Sequence, residues 1–387
     1  MSHLNTIYNQ LLHLIPRHQF ESLVQRYNGD YYVKYFTCWQ QLITLLYAQI
    51  KYKDSLRDIE TSLKAQSNRW YHIGLEDIKR STLSDANNQR DYRIYEDFFY
   101  TLLDRCKGIT PKHKFRFKNP LYTLDATVID LCLSLFPWAR FRKRKGALKL
   151  HYLYDHSGSI PTFLVVTDAK QHEIKVAKEL DLPISPDSII SVDRAYIDYK
   201  WLYSLKKSRV SFVTRAKKNL KYEVIGQHEV NEKKGLLFDK TIRLTGYYQS
   251  RYYPEPLRLI GFIDPETKKE LIFLTNNFML SAYTITQVYK ARWQIELFFK
   301  WIKQNLKIKS FLGTSRNAVL TQIWVAMCYY LLLTYIKYQT KYSYSLLELS
   351  WIFSEMIFER VSLIDLLSCR HYNISKVREP DLQQSLF

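Results

Sequence analysis

A chain of 387 residues, 47% of them hydrophobic, can bury a large core spread over two or three domains, which excludes a small stapled module and a disordered polar chain. Fifty-seven Lys and Arg against 37 Asp and Glu leave a formal charge of +20, a balance that points to a polyanion, nucleic acid ahead of its rival, a membrane surface. The five cysteines form no CxxC pair, the N-terminus has no basic-then-apolar leader, and the longest apolar run, Ile323 to Ile336, is short for a bilayer, so zinc and disulfide scaffolds are set aside and a cytoplasmic protein is expected.

Residues 1 to about 115 carry helical periodicity and no strand pattern: LNTIYNQLLHLI, CWQQLITLLYAQI, SLRDIETSL, YRIYEDFFYTLLDRC. Asp54 or Ser55 is placed to cap one short helix and Ser81 or Thr82 the next, in the manner of a helix-turn-helix unit. A plain helical packing domain fits the same pattern; Arg57, Lys64, Arg69, Lys79, Arg80, Arg90 and Arg93 favour DNA contact. From Arg116 the pattern turns to strands, LYTLDATVIDL, ALKLHYLYDH and IPTFLVVTDAK, joined by turns containing Gly146 and Gly158. A helix (HEIKVAKEL), a buried strand (SIISVD), a second helix (IDYKWLYSLKKS) and a strand (VSFVTRA) then alternate as in a mixed α/β sheet. Short alternating runs at about 216 to 275 read as a β-rich insertion, and the rest as helices ending in a polar tail. The expected domains are 1–115, 116–340 with the insertion, and a helical segment 341–387.

The stretch YKARWQIELFFKWIK, Tyr289 to Lys303, separates chemistry from packing. On one continuous helix Tyr289, Arg292, Glu296 and Lys303 share a stripe within roughly 60° of arc, while Ile295, Leu297, Phe298, Phe299, Trp301, Ile302 and Leu306 cover the other side. The stripe is either a ligand face or a solvated face with an Arg292–Glu296 i,i+4 pair. Asp125 lies inside an apolar β-branched strand and Asp193 follows the strand IISV, both positions where Asp is disfavoured and needs a reason. A strand-end structural role is one reason, and Asp130, Asp155 and Asp168 look much the same; the other is a site of two strand carboxylates and one helix carboxylate, whose repulsion hard cations such as Mg²⁺ or Mn²⁺ relieve. Six cations in ten residues, Arg140, Arg142, Lys143, Arg144, Lys145 and Lys149, either track a DNA backbone or form a solvated loop.

These residues resemble the DDE transposases of the insertion-sequence-four (IS4) group of bacterial mobile elements. The helix matches that family's Y-x2-R-x3-E-x6-K signature at Tyr289, Arg292, Glu296 and Lys303; LDATVIDL resembles the region of the first catalytic Asp, and SVDRAY that of the second, with Ala195 in place of the usual Gly. FTCWQQL, SLRDIE and RSTLSDANNQRDYRIYE resemble the helical domain preceding the core in one branch, so nearly the whole chain is covered. The resemblance implies an RNase H-like core, a β-rich insertion in the 102 residues between the second Asp and the Glu, Asp125, Asp193 and Glu296 as catalytic residues holding Mg²⁺, and Tyr289, Arg292 and Lys303 on DNA phosphate. It also implies metal-dependent cleavage at the element ends, 3'-OH attack on target double-stranded DNA, self-association on DNA, and work at the bacterial nucleoid. A base-flipping hairpin step would use a ring in the insertion, with Tyr247, Tyr248, Tyr252, Tyr253 and Phe273 as candidates. The rivals are a nuclease of the same core without strand transfer and a non-catalytic DNA-binding relative.

Overall fold

Apolar spacing near 3.6 gives the described residues of the N-terminal region seven α-helices: α1 (Ile7–His13), α2 (Arg17–Arg26), α3 (Cys38–Ile50), α4 (Leu56–Lys64), α5 (Trp70–Ile73), α6 (Arg80–Gln89) and α7 (Arg93–Lys107). The computed structural model describes residues 5–142, 145–180, 182–308, 310–343 and 345–368, without the side chains of His72, Arg140, Phe141, Arg142, Lys145 and Ser368. α3 opens with a capping box between Thr37 and Gln40 and is buried almost all round. Ser55 caps α4 as expected, accepting from the Asp58 amide at 3.1 Å. Ser81 and Thr82 cap nothing: α6 starts at Arg80 after an extended Lys79, because burial of Leu83, Ala86 and Asn87 fixes the helix phase and leaves both hydroxyls on its first exposed turn.

The second region builds a ten-stranded sheet. In chain order it runs β1 (Leu121–Leu131), β2 (Arg140–Arg142), β3 (Lys145–Asp155), β4 (Ile160–Asp168), α8 (Glu173–Glu179), β5 (Ile189–Val192), α9 (Tyr199–Lys207) and β6 (Ser211–Arg215). β4, β3 and β1 pair antiparallel, whereas β1, β5 and β6 are parallel, the crossovers carrying α8 and α9. This is the RNase H-like, mixed α/β arrangement. Gly158 makes the β3–β4 turn possible, at φ +70° and with Thr110 occupying the space a Cβ would need. Gly146, expected in a turn, instead stands in β3 opposite Leu131.

The insertion, β7 (Tyr222–His228), β8 (Leu236–Leu244), α10 (Tyr247–Tyr252), β9 (Leu257–Ile263) and β10 (Glu270–Thr275), continues the same sheet, since β10 pairs antiparallel with the edge of β6 and β9, β8 and β7 follow in turn. A buried ion pair ties it to what comes next: Arg258 holds both oxygens of Asp239, at 2.8 and 2.6 Å, and donates to the Leu280 carbonyl at 2.6 Å, just before α11 (Ala282–Ala291). α12 (Trp293–Asn305) follows. Leu124, Ile190, Val192, Phe212 and Leu274 form the core on one face of the sheet; Leu121, Ile189, Val213 and Phe273 pack with α11 on the other.

Three helices end the described chain: α13 (Arg316–Gln339), α14 (Leu346–Met356) and α15 (Leu363–Ser368). Contacts divide the protein into two units, Met1–Ile109 with Thr321–Phe387, and Thr110–Leu320, the boundary falling within α13. The C-terminal helices therefore complete the N-terminal unit: Ile7 and Tyr8 amides donate to the Glu359 and Ile357 carbonyls at 3.0 and 2.8 Å, and Arg69 to that of Phe358 at 2.7 Å. α13 has the length and composition to cross a bilayer, but 94% of its apolar window is buried inside the protein, as in a core helix.

Candidate active site

Strand register brings the first two carboxylates together. β1 and β5 run parallel with Leu124 opposite Val192, and the next residues along are Asp125 and Asp193. β5 stops there, and Asp193 begins a single 3₁₀ turn, Arg194 to Tyr196, with no capping bond from its side chain. The site thus lies at the carboxyl end of a parallel pair, where open α/β sheets collect ligands.

Glu296 arrives from above. Tyr152 of β3 is directly opposite Asp125, and Phe298 and Phe299 of α12 pack on its ring at 5.2 and 5.6 Å, which lays the helix over that point of the sheet. His156 fixes the same docking, with Nε2 2.8 Å from Thr123 Oγ1 and Nδ1 3.2 Å from Gln294 Oε1. The carboxamide oxygen can only accept, so Nδ1 carries the proton and Nε2 accepts from Thr123, a neutral ring. Burial agrees, pushing the imidazole down to about 4. Thr123 is two residues before Asp125 and Gln294 two before Glu296, so one histidine aligns strand and helix. Sequence reading missed it; a lone His after a strand carries no signal until its partners are known.

One guanidinium joins the two carboxylates. Arg292 Nη1 donates to Asp125 Oδ2 at 2.7 Å and Nη2 to Glu296 Oε1 at 2.6 Å, with side-chain exposures of 13, 16 and 34% for Arg292, Asp125 and Glu296. Burial pushes the Asp125 carboxyl up to about 6; Arg292 and the Ala126 amide oppose this, while Glu173 and Asp193 add to it. Glu173, the first residue of α8 and paired with Lys149 at 3.5 Å, is a further acidic neighbour with no signal in its local sequence.

The expected continuous helix is broken at Arg292, which ends α11 and precedes α12. The Arg292 amide bonds to the Tyr289 carbonyl and the Ile295 amide to that of Arg292, both at 3.1 Å and both at three-residue spacing. Tyr289 therefore sits on α11, its ring 5.0 Å from Phe273, and Glu296 and Lys303 on α12. Ile295, Phe298, Phe299 and Ile302 are buried, but Leu297, expected in the core, is 55% exposed beside Trp293 at 59%, because at 100° per residue along α12 it falls about 160° from Ile295. The Arg292–Glu296 pair foreseen as the solvated alternative does form, yet it is partly buried and shared with Asp125.

Of the other acidic residues, Asp155 caps the Ser157 amide at 2.7 Å, and Asp130 and Asp168 are exposed away from the junction. In the basic cluster, Lys143 and Arg144 and the side chains of Arg140, Arg142 and Lys145 lie outside the described residues. Lys149 bonds the Gln171 carbonyl and Glu173 rather than facing solvent in a loop.

Among the described residues no three acidic, His or Cys side chains already surround one point. The donor set nonetheless fits a hard divalent cation. Asp125, Asp193 and Glu296 would offer it carboxylate oxygens, the Arg292 guanidinium lies between Asp125 and Glu296, and the buried Tyr196 hydroxyl has no hydrogen-bond partner among the described residues.

An RNase H-like sheet with one acidic residue inside β1 and another just past the end of the parallel β5 has the arrangement of an enzyme of metal-dependent phosphoryl transfer on nucleic acid. A family model described as the transposase DDE domain matches residues 116–332, more than half of the chain, and the chain belongs to that family; it is a transposase, an enzyme of DNA cleavage and strand transfer. A domain family of unknown function (DUF4372) matches residues 3–76. The chain is 31% identical, over 72% of its length and 77% of the relative's, to a Sinorhizobium fredii protein named as transposase y4zB. It is 28% identical, over 77% and 82%, to a Geobacillus stearothermophilus protein named as the transposase for insertion sequence element IS5377. Among solved structures it is similar to the piggyBac transposase in a synaptic complex with hairpin DNA, with a TM-score of 0.43, 11% identity, and coverage of 82% of this chain and 71% of that one.

Proposed function

We propose that the protein moves an insertion sequence by a cut-and-paste route, with Asp125, Asp193 and Glu296 as the residues that hold Mg²⁺, Mn²⁺ substituting. The observation that supports this most is the β1–β5 register, which pairs Leu124 with Val192 so that Asp125 and Asp193 follow side by side, with Glu296 of α12 joined to Asp125 through Arg292. Dependence on a divalent metal is general to the DDE family. Bound there, the metal supplies activation of an attacking oxygen and stabilisation of the leaving one. The chain's own residues do the rest. Asp125 and Asp193 present oxygens from a rigid sheet, Glu296 closes the site from α12, and His156 keeps strand and helix in line. Arg292, Tyr289 and Lys303 orient the scissile phosphate, Arg292 through its two-pronged fork.

End recognition is assigned to the helices of the N-terminal unit, where Arg57 and Arg80 are exposed on α4 and α6, and to the basic stretch 140–149. Two copies acting together on paired ends, in the bacterial cytoplasm where the chromosome lies, complete the reading. The test is end-labelled DNA carrying the element's terminal repeats, incubated with the full chain and Mg²⁺ and then with supercoiled target. Cleavage at the repeat followed by joined products is expected. Cleavage without joining overturns the cut-and-paste route, and full activity of any one of the three carboxylate variants removes that residue from the site.

A further inference from the structure

The carboxylates assigned to metal are not bare. Asp125 Oδ1 accepts from the Ala126 amide at 2.8 Å, Asp125 Oδ2 from Arg292 Nη1 at 2.7 Å, and Glu296 Oε1 from Arg292 Nη2 at 2.6 Å. A single planar fork thus spans a strand residue and a helix residue 171 positions apart in the chain. A divalent ion ligated by the same oxygens at about 2.1 Å would share its acceptors with a second positive charge. The guanidinium cannot escape by losing its proton. Metal entry therefore requires Arg292 to let go, at least in part.

The backbone places that arginine at a pivot. Arg292 stands at the discontinuity between α11 and α12, outside the regular hydrogen-bond ladder of either helix. Its guanidinium lies 5.7 Å from the Tyr289 ring centroid, a second resting surface next to the carboxylates. A phosphodiester offers a guanidinium the same pair of oxygen acceptors that Asp125 and Glu296 offer now.

We propose that Arg292 is an internal counter-cation that keeps the metal site closed in the DNA-free chain, and that a DNA phosphate draws it off Asp125 and Glu296, so that metal loading and DNA binding are coupled. This rests on the assignment of the three carboxylates to metal and goes beyond it. A site closed in this way assembles its cutting machinery on DNA and stays idle in solution. The coupling is reciprocal: whatever DNA adds to metal affinity, metal adds to DNA affinity.

The experiment measures Mn²⁺ binding to the full chain by the loss of the free-ion electron paramagnetic resonance signal, at pH 8 and fixed ionic strength. Without DNA, Arg292→Gln is expected to bind Mn²⁺ at least tenfold more tightly than wild type, and Asp125→Asn at least tenfold more weakly. Arg292→Lys keeps the charge and loses the fork, so its affinity falls between wild type and Arg292→Gln; it also decides the matter should Arg292→Gln fail to fold. A duplex of the element end, its own Mn²⁺ uptake subtracted, should tighten wild type at least fivefold more than Arg292→Gln. If Asp125→Asn weakens binding but Arg292→Gln does not strengthen it, the closed-site proposal falls and the metal assignment stands. If Asp125→Asn changes nothing, both fall. Arg292→Lys matching wild type means that charge alone matters and overturns the fork. Equal tightening of wild type and Arg292→Gln by the duplex overturns the coupling.

Discussion

His156 should make the docking of α12 on the sheet sensitive to acid, and the size of the effect follows from its surroundings. The ring is 7% exposed and neutral, bridging Thr123 and Gln294, and burial lowers it from 6.5 to about 4. Between those values the unfolded chain binds a proton that the native state refuses, so stability is fully present above pH 6.5 and is lost as pH falls toward 4. At pH 5 this amounts to about 2 kcal/mol, and at pH 8 to nothing. His156→Gln keeps one hydrogen bond and removes the titration. At pH 8 the variant should be weaker by about 1 to 2 kcal/mol for the lost hydrogen bond and the lost contact with Tyr154, whose ring centroid is 5.4 Å away. At pH 5 that deficit should vanish or reverse. The assay is amide hydrogen exchange of peptides covering β1 and α12, corrected for the intrinsic rate at each pH, because local opening free energies isolate this docking from the other unit. His151, also buried and lowered to about 4, is common to both proteins and cancels. Equal loss of protection in wild type and His156→Gln between pH 8 and pH 5 would refute the reasoning.

Asp125→Asn, Asp193→Asn and Glu296→Gln should each abolish strand cleavage while end-DNA affinity stays within a few-fold, as measured by gel cleavage and anisotropy, because groups acting as a unit fail together. Arg57→Ala or Arg80→Ala should weaken end binding and reduce the steepness of its salt dependence by about one unit of slope, and an unchanged slope removes that residue from the phosphate contacts. A fragment ending near residue 115 should not hold its fold, because it lacks the Leu331 carbonyl of α13 that accepts from Cys106 of α7, and the residues 357–359 after α14 that bond α1 and Arg69, all within the same unit; a cooperative melt of the fragment would contradict this. If a hairpin forms at the cut end, Tyr247→Ala or Tyr248→Ala should reduce the fold-back product and preserve first-strand nicking, as those rings are 74 and 67% exposed on α10. Phe273, 1% exposed, and Tyr253, fully buried, are core and cannot take a flipped base; Phe273→Ala should instead cost about 3 to 5 kcal/mol of stability in urea titrations. Glu96, pushed up to about 7 by burial and by Asp97, binds more protons folded than unfolded between 4.5 and 7, so its stabilisation is lost as pH rises. Glu96→Gln should therefore gain about 1 to 2 kcal/mol at pH 8, discounted for partial exposure, and nothing at pH 4.

The sequence by itself determined the kinds of element and the chemistry they carry. Period-two and period-3.6 patterns placed the helices, the strands of the core and the β-rich insertion, since side-chain periodicity is local. Asp125 stood out because a carboxylate in a β-branched strand demands a partner, and Glu296 because fixed spacing set it beside Arg292 and Lys303. Through-space pairing was another matter. The register that puts Asp193 beside Asp125 links strands 68 residues apart, and the break at Arg292 is a backbone adjustment that no spacing rule contains. Leu297 lies at the surface and Arg292 reaches Asp125 from that break. His156, Thr123 and Gln294 are ordinary residues singly and an alignment device only once folded together. Likewise, Phe273 and Tyr247 are both rings in one insertion, and only tertiary burial decided that one is core and the other exposed. Local sequence sets which face a side chain lies on; what that face meets is decided by contacts between residues tens to more than a hundred positions apart.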